Sequence, residues 1–457
     1  MKSRRPAPRG WCRSVAAALI ALVTVALGVP VTAQTSLQVP LQFDFINPGA
    51  KSLALGGAFS GLADDATATF ANPAGLTQLG ASEVSFELRG TRVGTPFLES
   101  GRLSGVITNQ GIDTIQGPLF GESVGKHVGP GFGAGVYLAP SRRWAIAGHA
   151  HELIRVDQAF FSTGVFQKAP EEFTSRRDTP QSGIRTMSVR GYGASGAYKI
   201  GPQVSVGGSL SVYTFDFDSL YRRFDTDGFL GRPILERELQ RTTQQGGNAS
   251  VAPTVGVMMG SDLPDSSVPL WRRTRLGVVY RHGPTFTYTT QGEGVPPIDG
   301  LRFRVPHTLA VGASARLKPP LIVAVEITRI GYSRLREDFV IDQARGFRQV
   351  DDFSIDDGTE IHAGVQYAWP RRRWAPRLRG GAWLDPDHSI KYERRGSLDD
   401  VFSRLLAEQM AVAHSKGATE IHGTAGLGLT LRQRVEVNVA TDVSSNRFRF
   451  TASVVIR

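Results

Sequence analysis

Cysteine is almost missing from this sequence, since Cys12 is the only one among 457 residues. An internal disulfide is therefore excluded, and with it a cysteine-rich secreted scaffold. Cys12 also lies so near the start of the chain that we expect it to be lost with an export signal. The mature protein would then have no thiol for catalysis or metal binding.

Long hydrophobic runs are also scarce, and the single clear one spans residues 15–29. It follows a start with lysine or arginine at positions 2, 4, 5 and 9, and it precedes the small residues of Val31-Thr32-Ala33. The run is shorter than the roughly 20 residues that a membrane-spanning helix needs. A basic start, an apolar run and small residues are typical of a secretory signal peptide. We therefore predict that residues 1–33 are cleaved off before Gln34.

No stretch after the predicted signal peptide approaches 18 apolar residues in a row, which excludes helical membrane spans. Removing the five basic residues of the signal lowers the formal net charge from +11 to +6, so the basic composition belongs partly to the signal. The 52 glycines suit a secreted β-protein and equally a barrel with lipid outside and a polar lumen inside. Composition alone does not separate these two classes.

Apolar and polar residues alternate with period two along most of the chain, which places every second side chain on the same face of a sheet. At the C-terminus, apolar residues occupy the even positions from 448 to 456 and polar residues the odd positions from 447 to 453. Residues 309–313, 361–369, 421–431 and 435–439 repeat the pattern. A helix would need apolar residues at intervals of three and four, so the alternation predicts strands.

The connections between the predicted strands alternate in length. Short turns are expected near Pro140, Gly201, Pro319, Pro370 and Arg432, and a somewhat longer one at 261–271. Long polar connections are expected at residues 93–130, 155–186, 218–249, 291–304, 335–356 and 394–417. Short turns at one end and long loops at the other are the layout of an outer-membrane barrel, here with about 14 strands.

Tryptophans mark the short-turn end of the predicted barrel. Trp144, Trp271, Trp369 and Trp374 flank short turns, and Trp383 lies nearly one strand length away, so we interpret all five as interfacial anchors. A soluble β-sandwich or propeller is the competing interpretation. Many of the predicted strands are longer than the roughly five or six residues usual in soluble sheets, and no blade-length repeat is visible. We therefore predict an all-β, transmembrane antiparallel β-barrel over residues 83–457.

Residues 34–82 do not alternate and are rich in small side chains. They contain the runs LALGGAF at 53–59, ADDATA at 63–68 and NPAGL at 72–76. Small residues let backbones approach closely, as a plug inside a lumen requires. At these runs the chain resembles the FadL family of outer-membrane transporters of long-chain fatty acids and aromatic hydrocarbons. The resemblance implies a fourteen-stranded barrel whose lumen is plugged by residues 34–82, the N-terminal hatch.

The same resemblance implies a role for Asn72, Pro73 and Ala74, which match the hatch motif whose rearrangement would open a path through the lumen. The alternative is that Asn72-Pro73 makes a structural turn. A turn motif and a gate motif do not exclude each other.

A helix is predicted between Ser397 and Lys416, within the last long connection, because apolar residues there recur at intervals of three and four. The resemblance implies that its apolar stripe helps to form an external groove that captures the ligand. The candidate capture residues are Leu398, Val401, Phe402 and Leu405. The alternative is that the stripe only packs the helix onto the barrel rim, since an apolar stripe usually has a protein partner.

Several polar residues are predicted to point into the lumen, where we expect them to be solvated or in contact with the hatch. They are Arg275, Arg316, His362, Gln366, Glu436, Arg447 and Arg449.

No constellation points to an enzyme or to a metal. His149 and His151 share a strand face, but a third ligand is lacking, so we expect a chance pair. No G-x-S-x-G motif marks a catalytic serine. We predict no catalytic residue, cofactor or nucleic-acid partner.

The function hypothesis is passive uptake of hydrophobic small molecules across the outer membrane of a Gram-negative type cell. The partners would be the hydrophobic ligand, outer-membrane lipid and the barrel-assembly machinery. Because the chain ends in Ile456-Arg457 and not in an aromatic residue, recognition by that machinery is expected to depend on Phe448 and Phe450. The rival hypotheses are a PorV-like barrel that serves protein secretion or assembly, and a purely structural barrel.

Overall fold

The computed structural model describes residues 45–457 except 104–116, 169–174, 178, 229–231, 262, 264–266, 295, 341–349, 371–373, 397–400 and 415–416. Strand is by far the commonest secondary structure in it. The strands, in chain order, are β1 (Glu83–Arg102), β2 (Gly117–Leu138), β3 (Trp144–Ser162), β4 (Phe166–Lys168), β5 (Ser175–Arg177), β6 (Gln181–Gly201), β7 (Val204–Thr226), β8 (Pro233–Gly260), β9 (Thr274–Arg281), β10 (Thr285–Gly292), β11 (Ile298–Arg304), β12 (Thr308–Lys318), β13 (Leu321–Ile330), β14 (Phe353–Ser354), β15 (Gly358–Ala368), β16 (Arg377–Asp385), β17 (Lys391–Tyr392), β18 (Glu420–Leu431), β19 (Val435–Val443) and β20 (Arg447–Ile456).

The long strands close into a ring of 14 strand positions, which confirms the predicted barrel. Two positions consist of a pair of strands broken by a short kink, β9 with β10 and β11 with β12. The first and last strands, β1 and β20, pair antiparallel from Val84↔Ile456 to Val93↔Arg447. This pairing joins the first strand to the last and so closes the ring.

The alternation seen in the sequence becomes an outer and an inner face of the wall. In β20, Phe448 and Phe450 are exposed on the outside, whereas Arg447 and Arg449 are buried on the inside. Apolar groups therefore face outward along the wall, and polar groups face a filled lumen. This arrangement is the reverse of a soluble core and is the one expected for a barrel in a membrane.

The short turns all lie at one end of the barrel, as predicted, but several expected long connections are largely strand. Most of the predicted connection at 218–249 is paired as strands β7 and β8. The ladder of this hairpin starts at Val204↔Met259 and continues to Thr226↔Pro233. Beyond the membrane both faces of such a hairpin meet water, so its sequence shows no apolar face. The alternation test therefore missed these extensions.

The prediction that all five tryptophans are interfacial anchors is wrong for Trp383. Trp144, Trp271, Trp369 and Trp374 are well exposed beside the short turns, as anchors should be. Trp383 instead points into the barrel, is 2% exposed, and stacks against His422 at a centroid distance of 3.8 Å. The neighbouring Leu384 takes the outward position, so alternation along β16 fixed the direction of Trp383.

The described part of the predicted hatch, residues 45–82, contains little regular structure. It has two short helices, α1 (Ala50–Ala54) and α2 (Ala68–Ala71), and a 3₁₀ turn at Pro73–Gln78. Nearly all of residues 47–79 are buried.

Among the residues that the structure describes, helical structure outside the hatch lies in the connections. It comprises 3₁₀ turns at Leu270–Arg273, Tyr332–Leu335 and Val350–Asp352, an irregular turn at Arg336–Val340 and the helix α3 (Val401–Ala413). Among the described residues, no helix is long and apolar enough to cross a membrane.

Candidate functional site: the hatch and the lumen above it

The hatch is fixed to the wall through its backbone. Glu326 on β13 accepts hydrogen bonds from the amides of Phe59, at 2.9 Å, and Ser60, at 2.7 Å. The Oγ of Ser314 on β12 donates to the carbonyl of Gly61 at 2.9 Å. A carboxylate that accepts two amide hydrogen bonds in a buried place satisfies hatch donors that water cannot reach.

Asn72 connects three parts of the molecule. Its Oδ1 accepts from the amide of Ala74 at 3.2 Å and so caps the 3₁₀ turn that begins at Pro73. Its Nδ2 donates to the carbonyl of Ser60 in the hatch, at 3.0 Å, and to that of Val257 in β8, at 3.2 Å. The predicted motif residues therefore lie together against the wall, and Asn72-Pro73 does form a turn.

Arg281, at the end of β9, is a hatch contact that sequence reasoning missed. Its guanidinium donates to the carbonyls of Phe70, at 3.0 Å, and Ala71, at 2.6 Å, and to Oδ1 of Asn47, at 2.9 Å. It also lies 4.8 Å from the centre of the Phe70 ring. Five planar donors let one arginine bind several carbonyls at once.

The wall lets the hatch approach closely because inward positions on seven strands are glycine. We name these residues the glycine girdle: Gly207, Gly256, Gly277, Gly312, Gly364, Gly381 and Gly426. A Cβ atom added to Gly312 would lie 2.8 Å from the amide nitrogen of Gly61, and one added to Gly381 would lie 2.5 Å from that of Gly56. Side chains are therefore excluded along the line where the hatch backbone contacts the wall.

Six of the seven predicted inward polar residues are buried inside the barrel, whereas Arg316 lies at the short turn and donates to the carbonyl of Pro319 at 3.0 Å. Arg275 donates to the carbonyl of Leu62 at 3.3 Å, and Nδ1 of His362 lies 2.7 Å from the carbonyl oxygen of Gly56. Oε1 of Glu436 accepts a hydrogen bond from Nη2 of Arg379 at 3.3 Å. These contacts agree with a lumen filled by the hatch.

The lumen beyond the hatch is aromatic on one side, which the sequence analysis did not foresee. The rings of Phe215 and Phe286 stack at 4.8 Å, and those of Phe215 and Phe303 at 5.5 Å. We name the group the aromatic cluster: Phe215, Phe217, Phe286, Tyr288, Phe303 and Phe339. The available signal was Tyr213, Phe215 and Phe217, three aromatics on inward positions of β7 where a polar lumen predicts polar residues.

The aromatic cluster lies between the hatch and the long connections. On β7, Ser205 and Gly207 near the short turn contact the hatch, and Phe215 and Phe217 follow farther toward the long-loop end. Phe339, from the turn at Arg336–Val340, packs on Phe303 at 5.1 Å from the loop side.

The backbone ladder between β2 and β3 is interrupted beside the hatch. Their ladder ends at Phe132↔His151, although β2 stays paired with β1 to Gly117. Just beyond, β3 carries a bulge between Glu152 and Ile154. The glycine-rich stretch of residues 129–135 in β2 was the sequence signal for this irregularity.

The predicted capture helix is present as α3. Leu398 lies outside the described residues, and the side chains of Val401 and Phe402 also lie outside them. Leu405 is 3% exposed, and its carbonyl accepts a hydrogen bond from Nε2 of Gln167 at 2.7 Å. At Leu405, therefore, the apolar stripe packs against the protein.

His149 and His151 are packed and not arranged around an ion. The ring nitrogens of His149 lie 3.3 Å from the hydroxyls of Ser195 and Ser211, and His151 packs against Phe70 at 4.7 Å. Within the described ranges no group of three or more potential ligands is placed to hold a metal ion.

No family model matches this chain, and no curated protein matches it in sequence. Solved structures do match. A FadL homologue of Pseudomonas aeruginosa has a TM-score of 0.58 at 11% identity, over 92% of this chain and 99% of that one. The toluene transporter TodX of Pseudomonas putida has a TM-score of 0.50 at 15% identity, over 91% of this chain and 99% of that one. At these identities the likeness establishes the fold, which is that of FadL-type outer-membrane barrels.

Proposed function

We propose that the protein is a passive outer-membrane channel for hydrophobic small molecules, gated by its hatch. The observation that carries the proposal is the aromatic cluster directly above the hatch. A barrel that conducted only water and ions would gain nothing from stacked phenylalanines in its lumen, whereas an apolar solute gains about 25 cal/mol for each Å² of apolar surface it buries there. The structural neighbours described as a FadL homologue and a toluene transporter support the same conclusion.

The route runs from the long connections to the periplasm. A solute would be captured at the external rim, to which Leu398, Val401 and Phe402 would contribute, whereas the buried Leu405 would hold the helix in place. It would then displace Phe339, pack on the rings below, and pass when the turn at Asn72 to Ala74 moves. The protein needs no cofactor or energy source for this route and carries out no reaction.

Release sideways into the membrane is part of the proposal. The interruption of the β2–β3 ladder begins at His151, and the ring of His151 contacts Phe70 of the hatch. A solute at the hatch is therefore close to a place where the backbone ladder no longer seals the wall.

Residues 1–33 would serve as the export signal. An N-terminal peptide that contains Trp11, found in the outer-membrane protein, would contradict that part of the proposal.

Two phenylalanine variants with opposite expected effects test the proposal. Phe215→Ala removes the ring shared by both stacks and should lower uptake of toluene or a long-chain fatty acid in cells without their own transporter. Phe339→Ala opens space above the remaining rings and should raise binding of the same solutes. Phe86→Ala, which truncates an exposed outward ring, is the matched control and should leave uptake unchanged.

Unchanged uptake in the Phe215 variant, with normal amounts in the outer membrane, would overturn the channel proposal. A soluble protein that co-purifies in equal amount would favour the secretion or assembly role instead.

A further inference from the structure

Two neighbouring strand positions of the wall are broken at the same level. The ladder between β9 and β12 ends at Thr308↔Arg281, and residues 282–284 and 305–307 then lead to β10 and β11. Each of these two segments contains a proline, which has no amide hydrogen to donate to a ladder. The backbone and side chains at this level are therefore available for other contacts.

The break lies where the outward apolar band of the wall ends, on the side away from the short turns. Val278 on β9 and Leu309 on β12 are exposed on the outer face, and Tyr280 follows at 38% exposure. Alternation then places His282, which is exposed, and His307, which is half-buried, on the same face. Tyrosine is enriched at membrane–water interfaces, and short turns face the periplasm in barrels of this layout. This level is therefore the external interface of the membrane.

The outward rings at the break are held in fixed positions. The rings of His282 and His307 lie 4.2 Å apart, and that of Tyr280 lies 5.9 Å from His307. Nδ1 of His307 lies 2.9 Å from the amide nitrogen of Gly283 and 2.9 Å from Nη1 of Arg334. Because both of these partners are donors, Nδ1 accepts, and the ring proton of His307 lies on Nε2.

Arg334, in the turn after β13, is the cation of this group. Its Nη1 also donates to the carbonyl of Val305 at 3.0 Å, so the guanidinium is anchored to the break. In the part of the chain that the structure describes, its Nε and Nη2 have no hydrogen-bond partner. Nε and Nη2 form one edge of the guanidinium, which can donate two parallel hydrogen bonds to the oxygens of a phosphate or carboxylate.

The positive charge of Arg334 has no counter-ion among the residues described. The acidic residues of the adjoining connections are paired with other arginines: Glu337 and Asp338 with Arg304, and Asp357 with Arg329. An anion from outside the protein would therefore complete the surroundings of Arg334. We name the group Tyr280, His282, His307 and Arg334 the interface cluster.

We infer that the interface cluster binds a phosphate group of lipopolysaccharide, the anionic lipid of the external leaflet. The Nε and Nη2 edge of Arg334 would hold the phosphate, and Nε2 of His307 would donate a further hydrogen bond. The acyl chains would lie along the exposed side chains of Val278 and Leu309. Phospholipid phosphates of the periplasmic leaflet lie at the opposite interface and would be too far away. The inference depends on the barrel being in an outer membrane and not on the channel function.

The test measures lipid retention by the purified full-length barrel. Protein would be delipidated in detergent, incubated with lipid A or with lipid A from which both phosphates have been removed, and analysed by native mass spectrometry. We expect lipid A to be retained preferentially. Arg334→Gln keeps a side-chain donor for the carbonyl of Val305 but lacks the charge, and it should reduce this preference about 5-fold, as for one cation near a membrane surface.

Two further variants separate charge from geometry. Arg334→Lys keeps the charge but not the paired donors, so its preference should lie between those of Arg334→Gln and the wild type. Lys318→Gln, which removes one positive charge at a short turn, is the matched control and should retain both lipids as the wild type does. Folding of each variant would be checked by faster gel migration before boiling, which closed barrels show.

The preference for the phosphorylated lipid decides the outcome. Equal retention of the two lipids by the wild type would overturn the inference. So would a wild-type preference in folded Arg334→Gln, or an equal loss of both lipids in it, because a purely structural role of Arg334 would not distinguish the two lipids. Since no transport is measured, none of these results bears on the channel proposal.

Discussion

Gly312 is the position at which the seating of the hatch can be tested most directly. A Cβ atom there would lie 2.8 Å from the amide nitrogen of Gly61, 3.3 Å from Oε2 of Glu326 and 3.4 Å from the Cβ of Ser60. Ordinary contact begins at 3.4 Å, so Gly312→Ala requires a shift of about 0.6 Å between wall and hatch. Gly312→Val adds two further methyl groups at the same place.

The shift acts on one of the charged anchors of the hatch. Glu326 holds the amides of Phe59 and Ser60, and each hydrogen bond to a charged acceptor contributes about 1.5 to 3 kcal/mol. Loss of both in Gly312→Val would cost about 3 to 6 kcal/mol, or about two to four powers of ten in the ratio of seated to displaced hatch. Gly312→Ala should fall between this variant and the wild type.

Ion conductance in planar lipid bilayers measures the effect, because a polar lumen freed of its plug admits water and salt. We expect conductance to rise from wild type through Gly312→Ala to Gly312→Val. Ala313→Val, the next residue on the same strand but on its outward face, should stay closed. A Gly312→Val barrel that is folded, heat-modifiable and as closed as the wild type would refute the claim that this contact seats the hatch.

Three further outcomes are expected. Asn72→Ala combined with Pro73→Ala removes a helix-type cap of about 1 kcal/mol and should change hydrophobic uptake about 5-fold at unchanged surface expression; identical uptake would defeat the gate. Phe402→Asp should weaken ligand capture, seen as a raised half-saturating solute concentration, without raising ion conductance. Burial lowers the pKa of His388, beyond β16, but the Asp385 carboxylate raises it more, to about 9. The free energy by which this ion pair stabilises the fold is therefore fully present below pH 6.5, the ordinary pKa, and is lost as the pH rises through about 9. In His388→Gln, the melting temperature should depend less on pH over this range.

The barrel itself could be predicted from the sequence because its physics is local. In a wall with lipid outside and a filled lumen inside, each residue's class is set by its position along one strand. The outward and inward faces of residues 447–456 could therefore be predicted from that segment alone. The loop helix was predictable for the same reason, since its apolar stripe depends only on residues within α3.

Trp383 shows where local reasoning stopped. Its side chain type suits an interfacial anchor, and its distance from a short turn did not rule one out. Its inward direction follows from its register with Leu384, and its environment between His362 and His422 comes from the neighbouring strands β15 and β18. Residue type alone therefore gave the wrong answer where strand parity would have given the right one.

The seating of the hatch depends on contacts between residues far apart in sequence. Glu326 and Ser60 are separated by 266 positions, and Asn72 and Val257 by 185. The glycines of the girdle are spread over seven strands among the 52 in the chain, many of which serve in turns or on the outer face. An inward glycine predicts a hatch contact only when the neighbouring strands also carry glycine at the same distance along the barrel axis. Which residues share that distance is set by the shear of the closed barrel. Closure therefore converts seven scattered residues into one contact line. The small residues of 34–82 predicted close backbone packing, but they did not predict where on the wall that packing would occur.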